Sequence, residues 1–328
     1  MAQLSMSKLC MVASVLMWSG LVNAQSRADN FPSRPVTIIV ANTPGGPVDL
    51  ESRLYAGKLG ELIGQPCLLD FRPGAGGTVG GAYVAKAAPD GYTLLAVTAG
   101  FTSFPSLYRN LSFDTTRDFA PVTLMSQRVS VLLAHPAFAP KNFSDYIAHA
   151  HANPGKINHG TTGAGGIIHL TGAWMHNATN TRVTFVHYKG AAAEMLDLIA
   201  GRIDVASTTL LAAQPLLKSG KIRVLAVLNE KRSSLLPEVA TIAEQGIPEY
   251  NYASWLGIVA PRATPAPALS KLSEGLIRVS RMPDVVAILG ADGSTMVGNT
   301  PAQFAQIIAV ESERWRKLVQ ATGIKLED

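Results

Sequence analysis

Three features of the chain predict an α/β fold in two domains. Apolar strand runs alternate with helical segments along almost all of its 328 residues. The strand runs are continuous rather than alternating in polarity, as suits sheets covered on both faces. Two long stretches, FAPVTLMSQRVSVLLAHP at 119–136 and TIAEQGIPEYNYASWLGIVAP at 241–261, read as chain crossings between domains. The second domain is then an insertion. Residues 25–127 and 254–328 form domain 1, and residues 128–253 form domain 2.

The first residues are set apart from this pattern. Lys8 gives a positive start, Leu9 to Leu21 is apolar, and Val22-Asn23-Ala24 supplies small residues before Gln25. This is the pattern of a secretory signal peptide cut after Ala24. The run is shorter than the ~20 apolar residues a membrane span needs. Cys10 lies inside the run without the small residues that precede a lipid-modified cysteine. Loss of residues 1–24 removes one charge, Lys8, so the formal net charge falls from +5 to +4. That is too mild for nucleic acid, and no stripe of Lys and Arg is present. Cys67 is then the single cysteine left, which excludes an internal disulfide and a thiolate metal site. In QPCLLDF it reads as a small buried hydrophobe.

Residues 36–40, 67–71 and 93–97 read as buried strands, with helices at 48–62 and from about Thr78 to Ala87. In the second domain a helix at 144–152 precedes the glycine-rich turn 153–170, and a further helix runs to Ala178. Strand 183–188 leads through another glycine turn into a helix within 189–201. Strands follow at 203–208 and 222–227. Amphipathic helices at 266–280, 283–290 and 301–322 close the chain and cap the first domain.

The glycine turns are the candidate site. Thr43-Pro44-Gly45-Gly46 and Gly74-Ala75-Gly76-Gly77 each join a strand to a helix, so bare N–H groups stand at a helix start. Such a turn seats an anion, and a small carboxylate is the natural guest. It equally serves as a plain connection in which glycine only makes the bend. Asp49 either meets the ligand or favours the first turn of its helix. Thr98 and Ala99 end the third strand at the same edge, where ligands of parallel sheets bind.

Other chemistry lacks its residues. Val79 stands where a dinucleotide fingerprint needs its third glycine, and no Gly-Lys-Ser/Thr follows. No Gly-x-Ser-x-Gly or His-Glu-x-x-His segment occurs, so no cofactor, metal or catalytic residue is assigned. His149 and His151, two apart on a helix, do not share a face.

The segments FPSRPVTIIVANTPGGPVDLESR, RPGAGGTVGGAYVAKAAPDGYTLL, YKGAAAEMLDLIAGRID and WLGIVAPRATPAP, in this order, resemble the Bug family. These are extracytoplasmic solute-binding receptors of tripartite tricarboxylate transporters. FDTTRDFAPV, NPGKINHGTTGAGGIIHLTG, RSSLLPEVATIAEQGIP and ESERWRKLVQATGIK extend the likeness over the mature chain.

The resemblance implies a periplasmic, monomeric binding protein of the type II fold that closes on a small carboxylate between its domains and serves membrane permease subunits. A sensor feeding a signalling partner, or a periplasmic hydrolase, is the alternative. It adds a loop, Gly163-Ala164-Gly165-Gly166, and the segment Tyr188, Gly190, Ala191 and Ala192 as ligand contacts. Lys189 and His169 match family positions; as a direct contact, His169 reads more naturally as a side chain satisfied at a helix start. Departures fall at Pro47-Val48, Ser52, Phe104 and His187. His187, in place of a proline, is the most distinctive, since an imidazole in the pocket makes binding pH-sensitive.

Overall fold

The computed structural model describes residues 31–162, 164, 166–188, 190–291 and 293–324. The expected signal peptide and the positions Gly163, Gly165 and Lys189 lie outside the described residues.

Two α/β units are present. The first sheet is six-stranded, in the order β11-β4-β10-β3-β1-β2. Its parallel part is β1 (Val36–Val40) between β2 (Cys67–Phe71) and β3 (Thr93–Thr98). These three are the strands whose continuous apolar runs suit a parallel sheet, and the strand added beside β3 runs the other way. β4 (Phe119–Arg128) and β10 (Ser254–Pro261) are the crossing strands, and β10 runs antiparallel between β3 and β4. β11 (Thr295–Met296) adds a short edge. The second sheet is five-stranded, β7-β6-β8-β5-β9. There β6 (Asn158–Thr161) lies parallel to β7 (Thr184–His187) and β8 (Val205–Thr209), while β5 (Ser130–Ala134) runs antiparallel between β8 and β9 (Arg223–Val227).

Helix α1 (Pro47–Ile63) starts on a proline at its first position and ends at Gly64, whose φ of 73° is the left-handed stop. Its buried face is Ser52, Tyr55, Ala56, Leu59 and Ile63, spaced at helical period against β1 and the later helix α7 (Ala266–Val279). Between them come α2 (Thr78–Ala85), α3 (Phe143–Ala152), α4 (Ile167–Ala178), α5 (Ala191–Ile199) and α6 (Leu210–Lys218). Helices α8 (Pro283–Gly290) and α9 (Pro301–Thr322) finish the chain. Thr300 and Gln303 form a reciprocal capping box at the start of α9, which buries Phe304, Ile308, Trp315 and Leu318.

Several elements escape the sequence reading, the short edge β11 and a helical turn at Phe104–Leu107 among them, and two are instructive. NHGT at 158–161 reads as part of a turn, yet β6 is an inner strand. Its composition hides it, because the buried side chains are His159 and Thr161 rather than aliphatics. Gly160 is there for space: a Cβ would lie 2.5 Å from Ile203 Cδ1 and 3.1 Å from Glu194 Cγ. Helix α6 carries Pro215 in its interior, which conceals it from propensity.

The two units meet on α9 as well as through the crossings. Trp174 of α4 stacks on Tyr250 at 4.3 Å and meets Trp315 of α9 edge-to-face at 6.0 Å. The Arg314 guanidinium carbon sits 4.4 Å above the Trp174 ring.

Candidate functional site

Four strand–helix connections deliver their loops to the carboxyl ends of parallel strands and are built the same way, while a fifth, from β8 to α6, is capped by the Thr209 side chain. The N-cap residues of α1, α2, α4 and α5 are Gly46, Gly77, Gly166 and Gly190, and none has a side chain to cap the helix. The other helices do not start on glycine: α7 and α8 follow Pro265 and Met282, and α3 and α9 carry side-chain caps. Asn142 caps α3 through the Asp145 N–H, and Thr300 caps α9. The first intrahelical bonds are Leu50 N to Gly46 O, Leu170 N to Gly166 O and Glu194 N to Gly190 O. Ahead of them the first-turn N–H groups have no acceptor within their own helices.

In the first unit the second turn and the end of β3 share one recess, while Gly45 and Gly46 of the first turn line a separate cavity. Asn42, Gly76, Gly77 and Thr98 border one recess floored by Phe101 and Phe104. Both phenylalanines are core residues, 2% and 7% exposed, so they back the recess rather than project into it. The Gly74–Gly77 turn is held by Gly77 N to Gly74 O at 2.9 Å and by the Tyr108 hydroxyl, which donates to Ala75 O at 3.0 Å. Ala99 is buried and its carbonyl accepts the Thr102 hydroxyl at 2.8 Å.

Asp49 has work within its own turn. Its Oδ2 accepts the Gly45 N–H at 2.8 Å, and its Oδ1 lies 2.6 Å from Arg53 Nε in an ion pair. The carboxylate therefore braces the Thr43–Gly46 turn. A cavity of about 400 Å³ opens beside it, lined by Gly45, Gly46, Asp49 and Arg53 of the first unit, by Arg128 at the end of β4 and by Leu211 of the second unit.

In the second unit the ends of β6 and β7 are joined by side chains. The Thr161 hydroxyl lies 2.6 Å from His187 Nδ1, and His187 lies 4.6 Å ring to ring from His169 in the first turn of α4. Burial, and the nearby His187, push His169 down to about 4. Deeper along the same layer, His159 Nδ1 is 3.1 Å from His176 Nε2, and His176 Nδ1 is 2.7 Å from the Thr181 hydroxyl. Burial pushes His176 down to about 4 and His159 well below its ordinary value, so these two rings are neutral near pH 7. Gly172 leaves room for it, since a Cβ there would stand 3.0 Å from Phe185 and 3.2 Å from His159.

At the start of α5, Gly190, Ala191 and Ala192 carry no polar side chain. The Tyr188 hydroxyl turns back to donate to Asp197 Oδ2 at 2.8 Å. Glu194, one turn into α5, is fully buried, and neither carboxyl oxygen has a hydrogen-bond partner among the described residues. Burial raises it to about 8, so it is an acid rather than a carboxylate near pH 7. Sequence reasoning passed over Glu194, Thr161 and the Thr208-Thr209 end of β8, because polar residues in short strands carry no periodic signal.

Among the described residues no group of three or more His, Cys, Asp or Glu is placed to hold a metal, and no helix is long and apolar enough to cross a membrane. The Cys67 thiol is raised to about 11 by burial, so it is a poor nucleophile.

Comparison with known proteins follows the same lines. The family model described as tripartite tricarboxylate transporter family receptor matches residues 52–324. The UPF0065 protein in the TAR-I ttuE-ttuC' intergenic region of Agrobacterium vitis is 35% identical, over 95% of this chain and 90% of its own. Protein BugT of Bordetella pertussis is 31% identical, over 99% of this chain and all of its own. Among solved structures, an R. palustris protein with adipate superposes with a TM-score of 0.78 at 33% identity, covering 90% of this chain and all of that one. MatC from Rhodopseudomonas palustris with bound malate superposes with a TM-score of 0.74 at 30% identity, over 88% of this chain and all of that one. The chain belongs to the receptor family of the tripartite tricarboxylate transporters.

Proposed function

We propose that the protein is a periplasmic receptor, not an enzyme, that captures a small carboxylate between its two α/β units. One observation carries the reading. Four helices from two sheets begin at glycine N-caps, while α3, α6 and α9 are capped by Asn142, Thr209 and Thr300 and α7 and α8 follow Pro265 and Met282. Backbone donors of this kind meet an anion without a buried cation, and ordered water fills the remaining contacts. Relatives solved with adipate and malate support a carboxylate guest.

The contacts in this reading are Thr43 to Gly46, Gly74 to Gly77, Thr98, Ala99, Gly163 to Gly166, Tyr188 and Gly190 to Ala192, with Asp49 bracing the first turn. The units are 25–127 with 254–328, and the insert 128–253. The chain is exported by a leader cut after Ala24, acts as a monomer and hands its ligand to transporter subunits in the membrane.

Thermal unfolding of residues 25–328 against a panel of dicarboxylates tests this. An acid at about 100 times its Kd adds ~2.7 kcal/mol to stability. Gly190→Leu gives the matching control. Gly190 has φ 171°, which any residue adopts, and a Cβ there meets nothing within 4 Å. The variant should keep the melting temperature of the free protein and lose the ligand shift. Equal shifts in both proteins would remove the second-unit loop from the site.

A further inference from the structure

We infer that Arg128 is a positioning residue that makes the ligand seat and the crossing between the units move as one; this rests on the receptor reading above. Arg128 is the last residue of β4, and only Val129 separates it from β5 in the other sheet. Its side chain reaches back into the first unit. The guanidinium pairs with Glu51 of α1 and donates to the Pro47 carbonyl at 3.3 Å, one residue past the N-cap Gly46. Glu51 and Arg128 are 1% and 7% exposed, and the Ser126 hydroxyl donates to the same carboxylate.

The backbone of Arg128 is held from the opposite side. Asn229 Nδ2 donates to the Arg128 carbonyl at 3.1 Å, and Asn229 Oδ1 accepts the Ser130 N–H at 2.8 Å. One side chain thus clasps both residues flanking Val129. The second crossing is tied to the same place. Leu228 N donates to Ser130 O at 2.8 Å, Tyr252 N to Leu228 O at 2.9 Å and Ser254 N to the Ser130 hydroxyl at 3.3 Å.

A turn of the crossing that displaces Arg128 therefore has two outcomes. It drags the start of α1, or it breaks a buried ion pair and strands both charges, which is strongly unfavourable. The first is the cheaper. The cavity beside Arg128, with Leu211 on its far wall, is the space that such a movement changes. Closure of the cleft and the geometry of the Thr43–Gly46 turn are then one event, and ligand affinity contains the closure equilibrium.

Hydrogen–deuterium exchange of the ligand-free mature chain tests the linkage at a distance. Asn229→Ala removes the clasp without touching the seat. The inference expects amides in 45–50 to exchange roughly five-fold faster along with 128–130, the size of one lost side-chain hydrogen bond. Amides of α3 and α7 should be unchanged. Asn229→Asp, which keeps the acceptor for Ser130, should give the smaller effect. In a Glu51→Gln/Arg128→Met background, Asn229→Ala should speed only the crossing. Faster exchange at 128–130 with none at 45–50 overturns the inference, as does an undiminished effect in the double background. If the double background does not fold, the Asn229 single variants decide the question. Adipate and malate titrations of wild type form a separate arm. Failure to bind either counts against those guests, and leaves the exchange result standing.

Discussion

Glu311 of α9 is the group whose titration should be easiest to see. Its carboxyl end is buried among Trp255, Trp315 and Thr102, and burial raises it to about 7 from its ordinary 4.5. The hydrogen-bond inventory agrees with a proton there. Trp255 Nε1 donates to Glu311 Oε1 at 3.1 Å, and Trp315 Nε1 donates to the Thr102 hydroxyl at 3.0 Å. Thr102 has one hydrogen, and Ala99 O takes it at 2.8 Å. The Thr102–Glu311 contact of 3.1 Å is then best made by a proton on Glu311, with the neutral acid donating to Thr102. A glutamine reproduces that pattern.

The sign follows from linkage. The native state holds this proton more tightly than the unfolded chain. The favourable contribution is complete below pH 4.5 and is lost as pH rises through about 7. A shift of that size is worth about 3 kcal/mol between the two limits. The measurement is urea unfolding followed by tryptophan fluorescence at pH 5 and pH 8, for wild type and Glu311→Gln. The difference between pH 8 and pH 5 should be about 2.5 kcal/mol more favourable in the variant, since part of the full span is already lost at pH 5 and all other groups titrate alike in both. Parallel pH dependence in the two proteins would refute the assignment of a buried acid at this position.

The histidine layer should produce the opposite slope at lower pH. His176 is held near 4 against an ordinary 6.5, so its contribution is present above pH 6.5 and lost as pH falls toward 4, about 3 kcal/mol in all. Urea midpoints at pH 4.5 and 6.5 should differ less in His176→Gln than in wild type; identical differences would mean that another group carries the acid loss. Gly160→Ala should cost about 1–3 kcal/mol through its 2.5 Å clash with Ile203 Cδ1. An unshifted urea midpoint for Gly160→Ala would show that the β6–α5 layer yields freely.

Much of the fold was legible because its parts are local. β1, β2 and α8 are continuous apolar runs or a proline-opened helix, and their periodicity is complete within the segment. The glycine turns were legible for the same reason. What escaped depends on partners far along the chain. β6 is a strand because β7 and β8 flank it, and His159 is tolerable inside because His176 and Phe185 come to it from two other elements. The mixed direction of the first sheet depends on β10, which the sequence marks as a crossing but not as a central strand. Glu311, Thr102 and Trp255 lie 209 and 56 residues from one another along the pairs that join them, so no motif could hold them.

The placing of β10 also governs when the molecule can be finished. β10 is the strand that pairs with both β3 and β4, so the first sheet stays in two pieces until residues 254–261 arrive. A chain made amino end first must complete the whole insert before its opening strands can close. Late closure over long sequence separations is slow. On the proposal that the chain is exported, slowness is protective: the strands made first are the ones that cannot lock early.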